Sequence, residues 1–109
     1  MADTLKVLGQ SAPSATTLTT LYTVPAATTT VCSSIVVCNQ AASAGTFRVS
    51  VRVAGAANTA KQYIYYDVPI GANVTFTSTI GISLGATDVV SVYASSANMS
   101  FNLFGLERA

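Results

Sequence analysis

The chain predicts an all-β fold, an antiparallel sandwich of about eight strands that is jelly-roll-like. Three observations predict it. Apolar and polar residues alternate with a period of two along several segments, as they do on half-buried strands. Prolines and clusters of small residues punctuate those segments at short intervals. Thr, Val, Ile, Tyr and Phe, which suit a pleated surface, recur throughout, and no window of a dozen residues carries an amphipathic helical stripe.

Taken in order, residues 5–8 read as a weak first strand and residues 17–24 as a second, ended by Val24-Pro25 because proline cannot donate to a ladder. Residues 31–38 are apolar or small on both faces, as expected of a central strand. Residues 46–53 alternate best: Phe47, Val49, Val51 and Val53 are apolar, and the residues between them are polar. Residues 61–68 form a short aromatic-rich strand, closed by Val68-Pro69. Residues 73–80, 87–94 and 99–104 complete the set. Small-residue loops are expected at 41–45, 54–60, 81–85 and 95–98. The expected core includes Phe47, Val49, Val51, Val53, Phe76, Val92, Phe101 and Leu103. Residues 1–13 read as an N-terminal arm or first edge strand, and 14–109 as one β-sandwich domain. There is also an internal echo. Tyr22-Thr23-Val24-Pro25 returns as Tyr66-Asp67-Val68-Pro69, which suggests two corners where the chain leaves one sheet for the other, or simply shared turn grammar.

Half of the 109 residues are apolar and only 8% are charged, against about 25% in an ordinary domain. Ser, Thr, Asn and Gln must therefore supply most of the polar surface. Such a surface loses little hydration against a partner, which suits an assembly; a quiet, compact β domain is the alternative reading. A net charge of +1 with scattered Lys and Arg is no nucleic-acid footprint. The apolar runs last about four residues, where a membrane helix needs about 20. The N-terminus lacks the basic and apolar regions of a secretory signal, so a product made and used in the cytosol, or exported only as part of a particle, is expected. Cys32 and Cys38 share one strand, about 20 Å apart if extended, too far for a disulfide. Their even spacing predicts free thiols on one face.

No catalytic constellation is expected. The chain has no His, which removes the commonest general base and the usual nucleophile pairs. Its acids are Asp3, Asp67, Asp88 and Glu107, and Asp67 and Asp88 stand at strand ends, where Asp serves turns. No metal or cofactor is expected. Two features bear on binding. Arg48 and Arg52 lie on one polar face, about 13 Å apart, either to meet a neighbour's carboxylates or as solvated arginines. Tyr63 and Tyr65 share a face opposite Ile64 and Tyr66. They read as an interface anchor, a sugar-stacking platform, or core and rim packing.

Several stretches together resemble a family of small β proteins encoded among the structural genes of tailed bacteriophages and prophages: residues 14–25 (SATTLTTLYTVP), 35–39 (IVVCN), 47–52 (FRVSVR), 63–67 (YIYYD), 86–94 (ATDVVSVYA) and 100–107 (SFNLFGLE). The resemblance runs from about Leu8 to Glu107. It implies a non-enzymatic virion component, foremost a capsid decoration (cement) protein, and alternatively a tail, fibre or baseplate accessory, with a carbohydrate-binding role in host attachment. A decoration protein of this kind sits as a homotrimer on the major capsid protein. The expected partners are thus copies of itself and another virion protein, with no nucleic acid and no membrane.

Overall fold

A computed structural model describes residues 2–109. The described residues form nine strands: β1 (Asp3–Ser11), β2 (Thr19–Thr23), β3 (Thr29–Asn39), β4 (Gly45–Arg52), β5 (Tyr63–Ile70), β6 (Thr75–Ser78), β7 (Ile82–Leu84), β8 (Val89–Ala94) and β9 (Met99–Arg108). Two antiparallel sheets result. The first runs β1-β9-β3-β6, with β7 also on β3; the second runs β2-β8-β4-β5. Long-range hairpin pairs therefore nest and alternate between sheets: β1 with β9, β2 with β8, β3 with β6 and β7, β4 with β5. That nesting is a jelly roll.

The ninth strand has a local cause. β6 covers Ile35–Cys38 of β3 and β7 covers Thr30–Cys32. The gap between them faces a bulge in β3, where the register against β9 shifts between Cys32 and Ser34. One edge strand is thus broken in two. Its break contains Gly81, whose φ of 70° suits glycine alone without strain. The loop expected over 81–85 accordingly holds strand β7. β5 also runs past its expected stop and takes in Pro69. It is the edge of its sheet, where a missing donor is tolerated. Both echo segments nonetheless precede a crossing from the second sheet to the first, β2 to β3 and β5 to β6. β1 is a full edge strand, with Leu8 its one buried side chain.

The core lies between the sheets. Phe47, Val49, Val92, Phe101 and Leu103 are fully buried; Val51 and Phe76 pack partly buried against them. Phe47 of the second sheet meets Phe76 and Phe101 of the first at centroid distances of 5.1 and 6.1 Å. Val53 departs from expectation at 67% exposed. The alternation ends at Arg52, because Val53–Gly55 turns into a single 3₁₀ turn with Ala54 left-handed (φ 54°). The even spacing of the two cysteines also fails to put them on one face. The β3 bulge resets the alternation between them, so Cys32 is buried and Cys38 half-buried.

Polar side chains close both ends of the sandwich. At the C-terminal end of β3, fully buried Asn39 donates to the carbonyls of Ser43 (3.0 Å), Ile70 (3.4 Å) and Gly71 (3.0 Å) and accepts from the Ala41 amide (3.0 Å). One amide thereby ties the β3–β4 loop to the β5–β6 turn. At the other end, the Tyr22 hydroxyl of β2 donates to Glu107 of β9 and shares a 2.8 Å hydrogen bond with Thr30 of β3. Glu107 also takes the Lys6 ammonium of β1 at 3.2 Å.

Two substitutions test this core. Phe101→Ala should cost about 3–5 kcal/mol in urea unfolding, and a loss below about 1 kcal/mol would show the ring outside the core. Asn39→Asp keeps the shape but replaces the donor with a carboxylate oxygen that faces three carbonyls; the expected loss is about 3 kcal/mol or more at neutral pH. An unchanged midpoint would show that the amide ties nothing together.

Candidate functional site

The outward face of the second sheet gathers an aromatic and charged cluster, and bulges in β5 assemble it. Opposite β4, the register of β5 jumps between Val68 and Tyr65, then again between Tyr65 and Tyr63. The first jump leaves Tyr66 and Asp67 facing Arg48 alone, with Asp67 left-handed at φ 48°. Asp tolerates that conformation better than most residues. Ile64 is the surplus residue of the second jump, so Tyr63 and Tyr66 emerge on one face and Tyr65 turns inward.

Arg48 is the centre of the cluster. It grips Asp67 with two hydrogen bonds, Nε to Oδ1 at 2.6 Å and Nη2 to Oδ2 at 3.2 Å. Its guanidinium lies 4.2 Å from the Tyr66 ring centroid and 4.4 Å from that of Tyr93. Arginine suits this position because its planar fork can chelate a carboxylate while its faces stack on rings. The Arg48 guanidinium holds the Asp67 carboxyl below the usual carboxylate range, through its hydrogen bonds first and its charge second. Tyr63 meets Tyr66 edge to face, with centroids 5.0 Å apart and rings at 79°. Beside them lies a shallow cleft of about 500 Å³ lined by Asn58, Thr59, Ala60, Tyr63 and Tyr66. The Asn58 amide donates to the Tyr63 hydroxyl at 2.8 Å. A capping box between Thr59 and Gln62 fixes the short 3₁₀ turn (Ala60–Gln62) that carries the cleft's other wall.

The residues singled out from sequence therefore separate. Arg48 and Tyr63 belong to the cluster. Tyr65 does not: it packs on Phe47 and Phe76 and donates to Ser78 at 2.7 Å, tying the sheets together. Arg52 binds the carbonyls of Ala56 (2.8 Å) and Gly55 (3.0 Å) and reaches the Ser91 hydroxyl of β8 at 3.4 Å, which ties the segment after β4 back to the sheet. It is a loop clasp, and the two arginines form no shared binding pair. Tyr66 and Tyr93 were not expected in the cluster. Asp67 next to a Tyr-Tyr pair is the one local signal for a bulge there, since Asp is enriched at left-handed positions.

The acids are all engaged. Asp67 holds Arg48, Asp3 holds Arg108 (2.7 and 2.8 Å) and Glu107 holds Lys6 and Tyr22. Asp88 accepts from the backbone amides of Ala54 (2.8 Å) and Gly85 (2.9 Å). Among the described residues no group of His, Cys, Asp and Glu is placed to hold a metal ion, and no helix is long and apolar enough to cross a membrane. Comparisons with protein-family models, curated proteins and solved structures find no match for this chain.

The opposite outer face, on the first sheet, is of another kind. Leu5, Leu106 and Val31 are register partners across β1, β9 and β3, and Val7 pairs with Phe104 in the next row. Leu5 is 80% exposed, Val7 47% and Val31 46%. The five side chains make an apolar patch that reaches β1, the terminal strand of its sheet.

These pairings set the pH dependence of stability. The carboxyls of Asp3 and Asp67 are lowered chiefly by their arginine hydrogen bonds, and that of Glu107 chiefly by the Tyr22 hydroxyl. Their contribution is complete above the unfolded carboxylate range, about pH 4, and is lost as pH falls through the lower folded values. Burial pushes the Tyr22 hydroxyl up to about 12 and the Cys32 thiol up to about 11. Their contribution is present below the unfolded values, about 10 and 8.5, and is lost as pH rises toward the folded ones. The denaturation midpoint should be level between about pH 5 and 8 and fall on both sides. A midpoint that rises on acidification below pH 5 would contradict these pairings.

Proposed function

We propose that this chain is a non-enzymatic structural protein of a tailed-phage virion, a decoration (cement) protein that works on the capsid surface by packing against copies of itself and the major capsid protein. The observation that carries the reading is the apolar patch of Leu5, Val7, Val31, Phe104 and Leu106, open to solvent and continuous with the unpaired edge of β1. An exposed apolar patch bordering a free strand edge offers both a hydrophobic contact and main-chain hydrogen bonds to a neighbour. The resemblance of residues 8–107 to small tailed-phage structural proteins supports the same reading.

The energetics suit a clamp. Apolar area removed from water contributes roughly 25 cal/mol per Å² before association costs. A surface with few long charged side chains loses little rotamer freedom on docking. Each contact is modest, but many identical contacts on one shell act at high effective concentration. Association as a trimer belongs to this proposal, because a three-fold arrangement lets one surface serve neighbouring capsomers.

Quantitative gel analysis of purified virions tests it. Hundreds of copies per particle are expected; a few copies, or a ring of three or six, would move the protein to the tail; absence from particles would overturn the proposal. Val7→Asp, an exposed change on the same patch, should sharply lower the copy number while leaving the unfolding free energy in urea within about 0.5 kcal/mol of the parent. An unchanged copy number would show that this face docks nothing.

A further inference from the structure

We infer that the cleft between Tyr63, Tyr66 and residues 58–60 binds a neutral, hydroxyl-rich glycan. This goes beyond the structural role and does not rest on it, since the cleft lies on the second sheet and the apolar patch on the first.

The cleft has two kinds of wall. One is aromatic: Tyr66, 58% exposed, stands at 79° to Tyr63, so that the two rings form a corner. The C–H face of a pyranose packs on such a ring, burying apolar carbon while its hydroxyls remain free to bond. The other wall is polar and uncharged, from the Asn58 amide and the Thr59 and Tyr63 hydroxyls. The amide of Asn58 is held by the Tyr63 hydroxyl, yet its carbonyl oxygen is buried without a partner. That oxygen has no exposed surface, so a ligand hydroxyl reaches it only with a shift of the Asn58 side chain; a buried polar atom left unpaired carries a cost that such a shift would remove. The remaining question is charge. Arg48, the nearest cation in the cluster, is already chelated by Asp67 and stacked between Tyr66 and Tyr93. It stiffens the aromatic wall and offers no free positive field; Lys61, exposed on the 3₁₀ turn beside the cleft, is a cation outside any ion pair and is not part of the lining. A phosphate or a sulfated sugar would find no unpaired guanidinium there, whereas a neutral sugar needs none. The volume, about 500 Å³, lies within the range of ligand sites. Rigid rings held by Arg48 lose little freedom when a ligand arrives.

Titration of the isotope-labelled full chain with glucose, galactose, mannose and N-acetylglucosamine, followed by amide and Tyr-ring NMR shifts, tests the inference. Saturable shifts confined to residues 58–60, 63 and 66 are expected for at least one sugar. Tyr66→Ala should weaken binding about tenfold or more, while Tyr66→Phe, which keeps the ring, should retain it; this pair separates loss of the platform from loss of the fold. Three outcomes would overturn the inference. They are an absence of shifts with every sugar up to about 100 mM, which corresponds to only about 1.4 kcal/mol of binding; shifts that survive Tyr66→Ala unchanged; or binding confined to sulfated or carboxylated glycans.

Discussion

In a pleated strand each side chain points opposite to its neighbours, and this molecule depends on where that alternation is reset. Strand β9 is the spine of the first sheet. Met99, Phe101, Leu103 and Gly105 point inward from it without interruption. Its two neighbours both bulge beside Phe104, β1 at Leu8 between the partners of Phe104 and Leu103, and β3 at Ser33 between the partners of Gly105 and Phe104. A side chain on Gly105 would run into the Val31 carbonyl, so glycine is what lets β3 lie so close. The bulge in β1 turns Leu8 into the core, and one in β2 leaves Leu21 and Tyr22 both buried. Between those two bulges, Gly9 has no room for a side chain beside the Leu21 carbonyl, and there the edges of the two sheets close on each other.

From these resets follows a molecule with two different outer faces. The first sheet presents apolar and uncharged polar residues, with the Asp3–Arg108 ion pair at one end, beside the unpaired edge of β1. The second presents the Arg48 cluster and is partly covered by the segment that Arg52 clasps. Between the faces, the ends of the core are closed by polar networks, Asn39 at one and Tyr22, Thr30, Glu107 and Lys6 at the other. A buried polar group is destabilising unless satisfied, and here such groups hold loops and sheets in place. The charged residues are few, and most are engaged in these internal ties. The surface left for partners is therefore largely neutral.

The alternating pattern made most of the fold legible. Phe47, Val49, Val92, Phe101 and Leu103 are in the core as their spacing implies. What alternation does not encode is a bulge, because an inserted residue leaves the composition of a strand unchanged while reversing every residue beyond it. Cys38, Tyr65 and Tyr66 each lie past such a point and face the opposite way from a simple count. The echo shows the same limit. Tyr22 and Tyr66 occupy matching places in sequence, yet Tyr22 points between the sheets and Tyr66 into solvent. The polar ties were hidden for another reason: Asn39 and Glu107 meet residues tens of positions away, and only the nesting of the hairpins brings them together.

Under the proposed function, the outward face of the first sheet is where this protein meets its neighbours. Amide hydrogen exchange, measured on the free chain and on the chain seated in purified particles, addresses it most directly. Slowed exchange concentrated in β1 and along β9 from Leu103 to Arg108 on assembly is the result predicted. Unchanged exchange in β1, with protection gathered over the second sheet, would contradict it.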